Sequence, residues 1–294
     1  MKTKGFTLVE LLVVIAIIAL LMGILMPALA RVRQIAHRLV CGSNLSGIGK
    51  AMLIYANDYE DELPRAGGRN TVWGGPVVWD AANRFAAYGL QPDGTGGRAT
   101  ISSSLYLLIK YAEVTPKSFI CKGDSGTSEF KLSDYNRGDL EFIDCWDFGP
   151  NIDPRQHCSY TYHKPYGLYA LTTSSEPGMA VASDRSPWIE SPAGAAKNIQ
   201  QFNPTGTIEQ QKFGNSISHQ EDGQNVLFMD SHVYFEKRSY CAINDDNIYT
   251  YWDGGDIRRG GAPLNAADEP RDRKDSFCVH DGTLTGGAGT PPGR

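Results

Sequence analysis

The chain has 294 residues, of which 41% are hydrophobic and 21% are charged, and its formal net charge is -5. This is the composition of ordinary globular material in one or two domains. The acidic balance excludes the basic surface by which proteins bind nucleic acid. The 32 glycines and 16 prolines predict many turns, and so a loop-rich body that contains β-strands.

The N-terminus joins a short basic leader to a long apolar run. Lys2 and Lys4 come first, and Glu10 is the only ionisable side chain between Phe6 and Met26. A helix of about twenty residues is about 30 Å long, which matches the hydrocarbon thickness of a bilayer. The sequence therefore predicts one membrane-spanning helix, and the positive-inside rule places its N-terminus in the cytoplasm.

A secretory signal peptide is the alternative for this run, with the Ala-Leu-Ala at residues 28–30 as its cleavage site. The run is longer than the usual apolar centre of about 7–15 residues. In addition, a carboxylate such as Glu10 costs roughly 2.5 kcal/mol or more at the centre of a membrane helix, so it requires a partner. Cleavage between Gly5 and Phe6 would create that partner, a free amine on Phe6 of the same or a neighbouring subunit.

The segment Lys-Gly-Phe-Thr-Leu-Val-Glu at residues 4–10, followed by the apolar run, resembles the class III leader of type IV pilins and type II secretion pseudopilins. In that family a prepilin peptidase cuts after the glycine and methylates the new N-terminal phenylalanine. The resemblance therefore implies cleavage after Gly5 and methylation of Phe6. It also implies roles in filament assembly for Glu10, which would neutralise the Phe6 amine of an adjacent subunit, and for Pro27, which would permit local bending.

Helical character continues past Pro27. Apolar residues recur at spacings of three and four as far as Tyr59, which predicts an amphipathic extension of the helix. Glycines at positions 42, 47 and 49 weaken this extension by up to about 1 kcal/mol each relative to alanine. The predicted organisation is a leader, a membrane and filament-core helix, an amphipathic helix, a globular body and a disordered tail, at residues 1–5, 6–27, 28–62, 63–285 and 286–294.

The body is predicted to combine strands with long insertions. Residues 66–100 are rich in Gly, Asn and Trp and are predicted to be an inserted loop, and a short helix is predicted at 104–111. Strands are predicted at 159–162, 179–183, 225–230 and 232–237, the last two as one bent strand or a tight hairpin. Together with the resemblance, this predicts an α+β, pilin-like fold in which the long N-terminal helix packs on an antiparallel β-sheet.

Several segments resemble a narrower group of the same superfamily, the large pseudopilin-like proteins of Planctomycetes known as the H-X9-DG type. The matching segments are residues 41–64, the Ser-Phe-Ile-Cys-Lys-Gly-Asp at 118–124, the Ser-Tyr-Thr-Tyr at 159–162, and residues 219–232. The last segment departs from the group's motif twice. The spacing from His219 to Asp230 is one residue longer, and Ser231 stands where glycine is usual.

The histidine segment offers one metal hypothesis. Asp230 and His232 share a face of a strand because they are two residues apart, and His219 with Asp222 or Asp184 would complete a site. The alternative, which the sequence favours, is a core strand that ends in a turn. Asp230 would then bind backbone amides, and both histidines would be satisfied within the domain.

Calcium is the second metal hypothesis, and no other cofactor is predicted. Major pseudopilins hold calcium in a C-terminal loop, so the resemblance implies hard oxygen ligands from Asp245, Asp246, Asp253 and Asp256. Neither acidic run has the spacing of an EF-hand, and solvated turns are the alternative interpretation.

The chain has six cysteines, all beyond the membrane run: Cys41, Cys121, Cys145, Cys158, Cys241 and Cys278. An exported body permits disulfides, and an even count predicts them. No CxxC pair is present, which argues against a zinc ribbon. Fifteen connectivities are open for six cysteines, and pairs of sequence neighbours, Cys145 with Cys158 and Cys241 with Cys278, are candidates.

The sequence contains no Ser-His-Asp order, phosphate loop or zinc-protease helix, so no enzyme is predicted. The resemblance implies a pseudopilin-like subunit of a type II secretion filament, single-pass in the inner membrane with its body in the periplasm or in an extracytoplasmic filament. Its implied partners are prepilin peptidase, other pseudopilin subunits and the inner-membrane secretion machinery. Two alternatives are a surface pilin-like adhesin that binds polysaccharide through its many aromatic residues, including five tryptophans, and an anchored metal-dependent enzyme.

Overall fold

The computed structural model describes residues 7–151 and 153–282. The cleavage and methylation residues, Gly5 and Phe6, therefore lie outside the described residues. The same holds for the predicted leader, residues 1–5, and for the predicted tail, residues 286–294.

Helix α1 runs without a break from Leu8 to Asp58, and at about 1.5 Å per residue its 51 residues are about 77 Å long. A capping box closes its N-terminus. The Glu10 backbone N–H donates to Thr7 Oγ1 (3.3 Å), and the Thr7 backbone N–H donates to Glu10 Oε2 (2.8 Å). Pro27 lies inside the helix. The long helix predicted from the apolar pattern is thus present, and it ends at Asp58, four residues before the predicted boundary.

The two halves of α1 have different surroundings. From Leu8 to Val40 no residue is buried, whereas from Cys41 onward one face of the helix is buried against the body. The buried positions recur at spacings of three and four, as an amphipathic helix requires. Among the described residues α1 is the one helix long and apolar enough to cross a membrane, and its apolar stretch is wholly exposed within the chain.

The described chain forms four more α-helices: α2 (Arg84–Tyr88), α3 (Ile101–Ala112), α4 (Pro154–His157) and α5 (Ile208–Lys212). Helix α3 starts three residues before its predicted start. Its N-cap is Thr100, whose Oγ1 accepts from the Ser103 N–H (3.0 Å), while Ser103 Oγ accepts from the Thr100 N–H (3.1 Å). The three serines at residues 102–104 therefore lie within its first turn.

The described strands are β1 (Val72–Trp73), β2 (Arg98–Ala99), β3 (Tyr160–His163), β4 (Ala180–Asp184), β5 (Gln224–Phe228), β6 (Val233–Glu236) and β7 (Cys278–Val279). Strands β1 and β2 pair in parallel, and the other five form an antiparallel sheet in the order β6-β5-β4-β3-β7. The four predicted strands correspond to β3–β6, and β5 with β6 is the tight hairpin. Strand β7 was not predicted because two residues are too few to show an alternating pattern.

The tract at 66–100 is not the plain loop that its composition predicted. It contains β1, α2 and β2. The reason is that apolar residues within it, including Trp73 and Ala99, are buried in the main core and fix the backbone around them.

Helix α1 approaches the sheet closely at Gly49. A Cβ atom at this position would lie 2.7 Å from Leu227 Cδ1 on β5, so a larger residue would force the Leu227 side chain to move. Neighbouring residues Leu45, Ile48 and Met52 belong to the same core as Leu227. The fold is therefore α+β, with a long helix packed on an antiparallel sheet, as predicted and as expected of a pilin-like protein.

Candidate functional site

The first candidate site is the uncovered half of α1. Its large apolar side chains are exposed around the whole circumference, from 79% exposed at Leu8 to 45% at Val14. A continuous apolar surface of this kind marks contact with a membrane or with other subunits. Glu10 is the one acidic side chain in this surface, and in the isolated chain its carboxylate caps its own helix through Thr7.

A family model described as the prokaryotic N-terminal methylation motif matches residues 1–26. The chain carries a class III prepilin-type signal. The match includes Gly5, Phe6 and Glu10 and ends just before Pro27. With the single apolar helix, this prepilin-type signal supports a pilin-like or pseudopilin protein, anchored in the membrane and processed by a prepilin peptidase.

No curated protein and no solved structure matches this chain. The similarity of the body to the H-X9-DG type is not covered by the match to residues 1–26, so it stays a prediction.

The second candidate site lies where α1 enters the body. Cys41 on α1 forms a disulfide with Cys121, which follows a 3-10 turn after α3, and their Cα atoms are 5.2 Å apart. Asp184, at the end of β4, and His219, at the end of another 3-10 turn, lie beside the two sulfurs. All four residues are buried.

The disulfide pairings suggested by sequence proximity are wrong. Cys145, Cys158, Cys241 and Cys278 are free thiols. The bond that forms joins cysteines 80 residues apart. Disulfide geometry depends on the distance between Cα atoms in the folded chain, and the fold brings α1 against the segment after α3.

The side chains of the second site are tightly connected. His219 Nε2 is 3.1 Å from Asp184 Oδ2 and 3.6 Å from Cys121 Sγ. Asn225 donates to Asp184 Oδ2 through its backbone N–H (2.6 Å) and its side-chain amide (3.1 Å). Asp184 Oδ1 is buried and has no hydrogen-bond partner among the described residues. One carboxylate oxygen is thus held firmly, and the other is left without a donor.

The sequence hypothesis that grouped His219 with Asp230 and His232 is wrong. His219 is buried before the start of β5, whereas Asp230 and His232 are exposed in the turn after β5. Asp230 accepts there from the His232 backbone N–H (3.2 Å) and lies against the His232 ring. Asp184 is the partner of His219, while Asp222 pairs with Arg38 (2.5 Å). Residue spacing could not show this, because the strand separates the two histidines.

The segment at 118–124 supports the second site. Gly123 lets the chain pass close to His219, since a Cβ atom there would be 2.8 Å from His219 Nδ1 and 2.2 Å from the Ser218 carbonyl. Asp124 forms a buried ion pair with Arg185 (Oδ2 to Nε 2.7 Å). Burial raises the pKa of Asp124, and the Arg185 charge opposes that rise. This segment therefore positions Cys121 and the loop that covers it.

The four carboxylates proposed for calcium do not converge on one site in the described chain. Asp256 pairs with Arg258 (2.9 Å), and Asp253 accepts from the Gly255 N–H (2.9 Å) in a local turn. Asp245 is exposed, whereas Asp246 is buried and accepts from the Ser276 N–H. The candidates were grouped by their closeness in sequence, but local turns and ion pairs direct their side chains apart.

Asp246 predicts a pH dependence of stability. Burial, with the nearby Asp275 charge, raises its pKa from 3.8 to about 8. The unfolded chain therefore loses this proton at lower pH than the folded chain, and the free energy of unfolding falls as pH rises toward 8. Buried Asp147, whose pKa is raised to about 7, adds to this fall in the free energy of unfolding. The pKa of His163 is lowered to about 4, so this group changes the stability only below pH 6.5.

We expect stability measured by urea unfolding to decrease between pH 6.5 and 8, and Asp246→Asn to flatten most of that decrease. The asparagine keeps an oxygen acceptor for the Ser276 N–H. Asp253→Asn, in the same acidic region but exposed, is the matched control and should keep the wild-type slope. If the free energy of unfolding of the Asp246 variant falls with pH as steeply as that of the wild type, Asp246 is not the main source of the pH dependence.

A third feature is an open cavity of about 450 Å³ at the edge of α3. Trp73, Asn151, Arg155 and Asp281 contribute to its lining. Asp281 accepts from the Trp73 indole N–H (3.0 Å) and from the backbone N–H of Ser102 (2.7 Å) in the first turn of α3. The cavity thus has one aromatic side chain, the largely buried Trp73, together with a guanidinium group, a carboxylate and an amide.

The tryptophans do not form the exposed carbohydrate surface that their number suggested. Four of the five are buried: Trp73, Trp79, Trp146 and Trp188. They contribute to the cores, as expected of large aromatic side chains, and only Trp73 also lines the cavity.

Proposed function

We propose that this protein is a pseudopilin-like subunit that assembles through α1 into a filament of the type II secretion pseudopilus type. The observation that carries the proposal is the prepilin-type signal at residues 1–26, whose helical part, from Leu8 onward, has an apolar surface that nothing in the described chain covers. Before cleavage this surface is in the bilayer, with Lys2 and Lys4 in the cytoplasm and the body in the periplasm. After cleavage it packs against the same helix of other subunits.

The body is held rigidly to this helix, which supports a mechanical role. Helix α1 continues without a break from the exposed half into the body, where Gly49 packs against β5 and Cys41 is bonded to Cys121. Movement of the helix along a filament axis is therefore transmitted to the whole body. The role that we propose is structural, with no catalytic step.

Processing is the first test of this proposal. We expect the protein recovered from the membranes of its host to begin at N-methylated Phe6, as measured by intact mass and by sequencing of the N-terminal peptide. The variant Gly5→Val should remain uncleaved, because valine places a branched side chain at the cleavage position, where the signal has glycine and therefore no side chain. Phe6 would lose its free amine in that variant, so filaments should be lost as well.

A wild-type chain that begins near Arg31 would identify a conventional secretory signal. One that still begins at Met1 would identify a plain membrane anchor. Either result contradicts the proposal, and the matched control is Glu10→Ala, which should be cleaved at the wild-type position.

A surface adhesin is the second candidate function, and the cavity beside Trp73 favours it. A concave site that places a few charged and amide groups beside an aromatic side chain can bind a polar organic ligand such as a glycan. Binding of the full-length protein to a glycan array, compared with the variant Arg155→Ala, tests this function.

Deletion of the gene separates the two candidate functions, pseudopilin and adhesin. Loss of exported proteins from the medium supports a pseudopilin, and loss of surface attachment with normal export supports an adhesin.

A further inference from the structure

We propose that Cys41, Cys121, Asp184 and His219 form a zinc site when the two cysteines are reduced, so that either a disulfide or a metal ion fastens the anchor helix to the body. One ligand atom from each residue is available, and the four atoms all lie within 4.8 Å of one another. The site takes one residue from α1, one from the segment after α3, one from β4 and one from the turn before β5.

The two distances from His219 to its neighbouring ligand atoms already fit a single tetrahedral ion. Two ligands on one zinc ion are about 3.6 Å apart for sulfur and nitrogen and about 3.3 Å apart for nitrogen and oxygen, as follows from Zn–S of about 2.3 Å and Zn–N and Zn–O of about 2.0–2.1 Å. In the structure Cys121 Sγ is 3.6 Å from His219 Nε2, and His219 Nε2 is 3.1 Å from Asp184 Oδ2. The imidazole and the carboxylate are therefore already at ligand spacing.

The carboxylate of Asp184 has one oxygen without a hydrogen-bond donor within the described chain. Asp184 Oδ1 is buried and accepts no hydrogen bond from the described residues, which is costly for a charged group. Oδ2 is held by two donors from Asn225. A fixed carboxylate of this kind is characteristic of a metal ligand oriented by a neighbouring side chain. Asp184 therefore offers a cation two oxygens, Oδ2 at 3.1 Å from His219 Nε2 and the buried Oδ1 that accepts no hydrogen bond from the described residues.

The chemistry of the ligand set selects the ion. Two thiolates with an imidazole favour zinc over calcium or magnesium, which prefer oxygen ligands. All four side chains are buried, with exposures from 0% to 4%. A closed site with four protein ligands is structural rather than catalytic, because no position is left for water.

Reduction of the disulfide frees both sulfurs for the metal ion. A phosphine reductant supplies two electrons to the disulfide and takes an oxygen atom from water, whose two protons pass to the sulfurs of Cys41 and Cys121. Zinc then displaces these two protons and binds both thiolates. The sulfurs separate to about 3.8 Å, the spacing of two thiolates on one tetrahedral zinc ion. A chain made in the reducing cytosol starts with both thiols free and can bind the metal first.

The experiment uses the full-length chain in detergent micelles, reduced with a phosphine without oxygen, incubated with zinc or cobalt(II) salts and freed of unbound metal. We expect about one metal ion per reduced chain by elemental analysis, with the thiolate charge-transfer absorption of tetrahedral cobalt(II), and less than about a tenth of that for the oxidised chain.

His219→Gln is the decisive variant, because it keeps both cysteines and can be shown to be folded in its oxidised form by circular dichroism. It should lower the cobalt affinity at least about tenfold, whereas His232→Gln, which alters the exposed histidine, should bind like the wild type. Cys41→Ser should abolish the charge-transfer absorption.

Three results would overturn the proposal. They are no metal on the reduced wild type, equal binding by the His219 variant, or a reduced chain that unfolds and gains no structure when zinc is added. Because these readouts do not involve filaments, they are independent of the pseudopilin function.

Discussion

Filament assembly is expected to fail when Glu10 is replaced by Ala, while cleavage after Gly5 continues. In the filament that we propose, the carboxylate of Glu10 would neutralise the Phe6 amine of an adjacent subunit in an apolar core. Without the carboxylate that amine is left unpaired, at a cost of roughly 2.5 kcal/mol or more, which is a factor of about 70 or more for each subunit contact. Shearing of cells followed by immunoblotting measures assembled filaments, and intact mass measures processing.

Two further variants separate the charge of Glu10 from its capping role. The structure shows that Glu10 also caps α1 through Thr7, so the loss of a cap is a competing explanation. Glu10→Gln keeps a capping residue and removes the charge, and it should lose filaments as the alanine variant does. Thr7→Ala removes the cap and keeps the charge, at a cost of about 1 kcal/mol, and should still assemble. If Thr7→Ala loses filaments and Glu10→Gln still assembles them, Glu10 acts by capping its own helix.

The disulfide between Cys41 and Cys121 is expected to contribute about 4.5 kcal/mol to the free energy of unfolding of the body. The estimate follows from the entropy of closing a loop of 80 residues in the unfolded chain. The double variant Cys41→Ala/Cys121→Ala should lower the urea midpoint accordingly. Unfolding of the oxidised full-length protein, followed by tryptophan fluorescence in the presence of a chelator, measures the effect without a contribution from bound metal.

The matched control is Cys241→Ala, which removes a half-buried free thiol. It should change the free energy of unfolding by less than about 1 kcal/mol. If the double variant and this control are equally stable, the covalent link has no role in holding the anchor helix to the body.

The anchor helix could be predicted from sequence because its signals are local. An apolar run long enough to span a bilayer, the single carboxylate of Glu10 and the Gly5-Phe6 step all lie within a short stretch. Strands β3 to β6 were also recognisable, since alternation and apolar runs depend on neighbours in sequence. Strands β1, β2 and β7, of two residues each, carry no such pattern and exist through pairing alone.

The second site could be predicted only in part. The pairing of His219 with Asp184 was among the alternatives from the sequence, but its two sulfur neighbours were not. Cys41 and Cys121 stand 80 residues apart, with no CxxC spacing to mark them. One sequence feature could have indicated them: each cysteine lies in a segment that resembles the H-X9-DG type, at 41–64 and 118–124.

By itself, the sequence determined that this protein has a prepilin-type signal, a membrane-length helix and an α+β body, because periodicity, capping and hydropathy act between residues close in the chain. The tertiary structure alone decided which cysteines bond, that His219 meets Asp184 and not His232, and that Asp246 is buried. These outcomes depend on contacts between distant segments and on the exclusion of water. Both arise only when α1 packs on the sheet and the loops close over it.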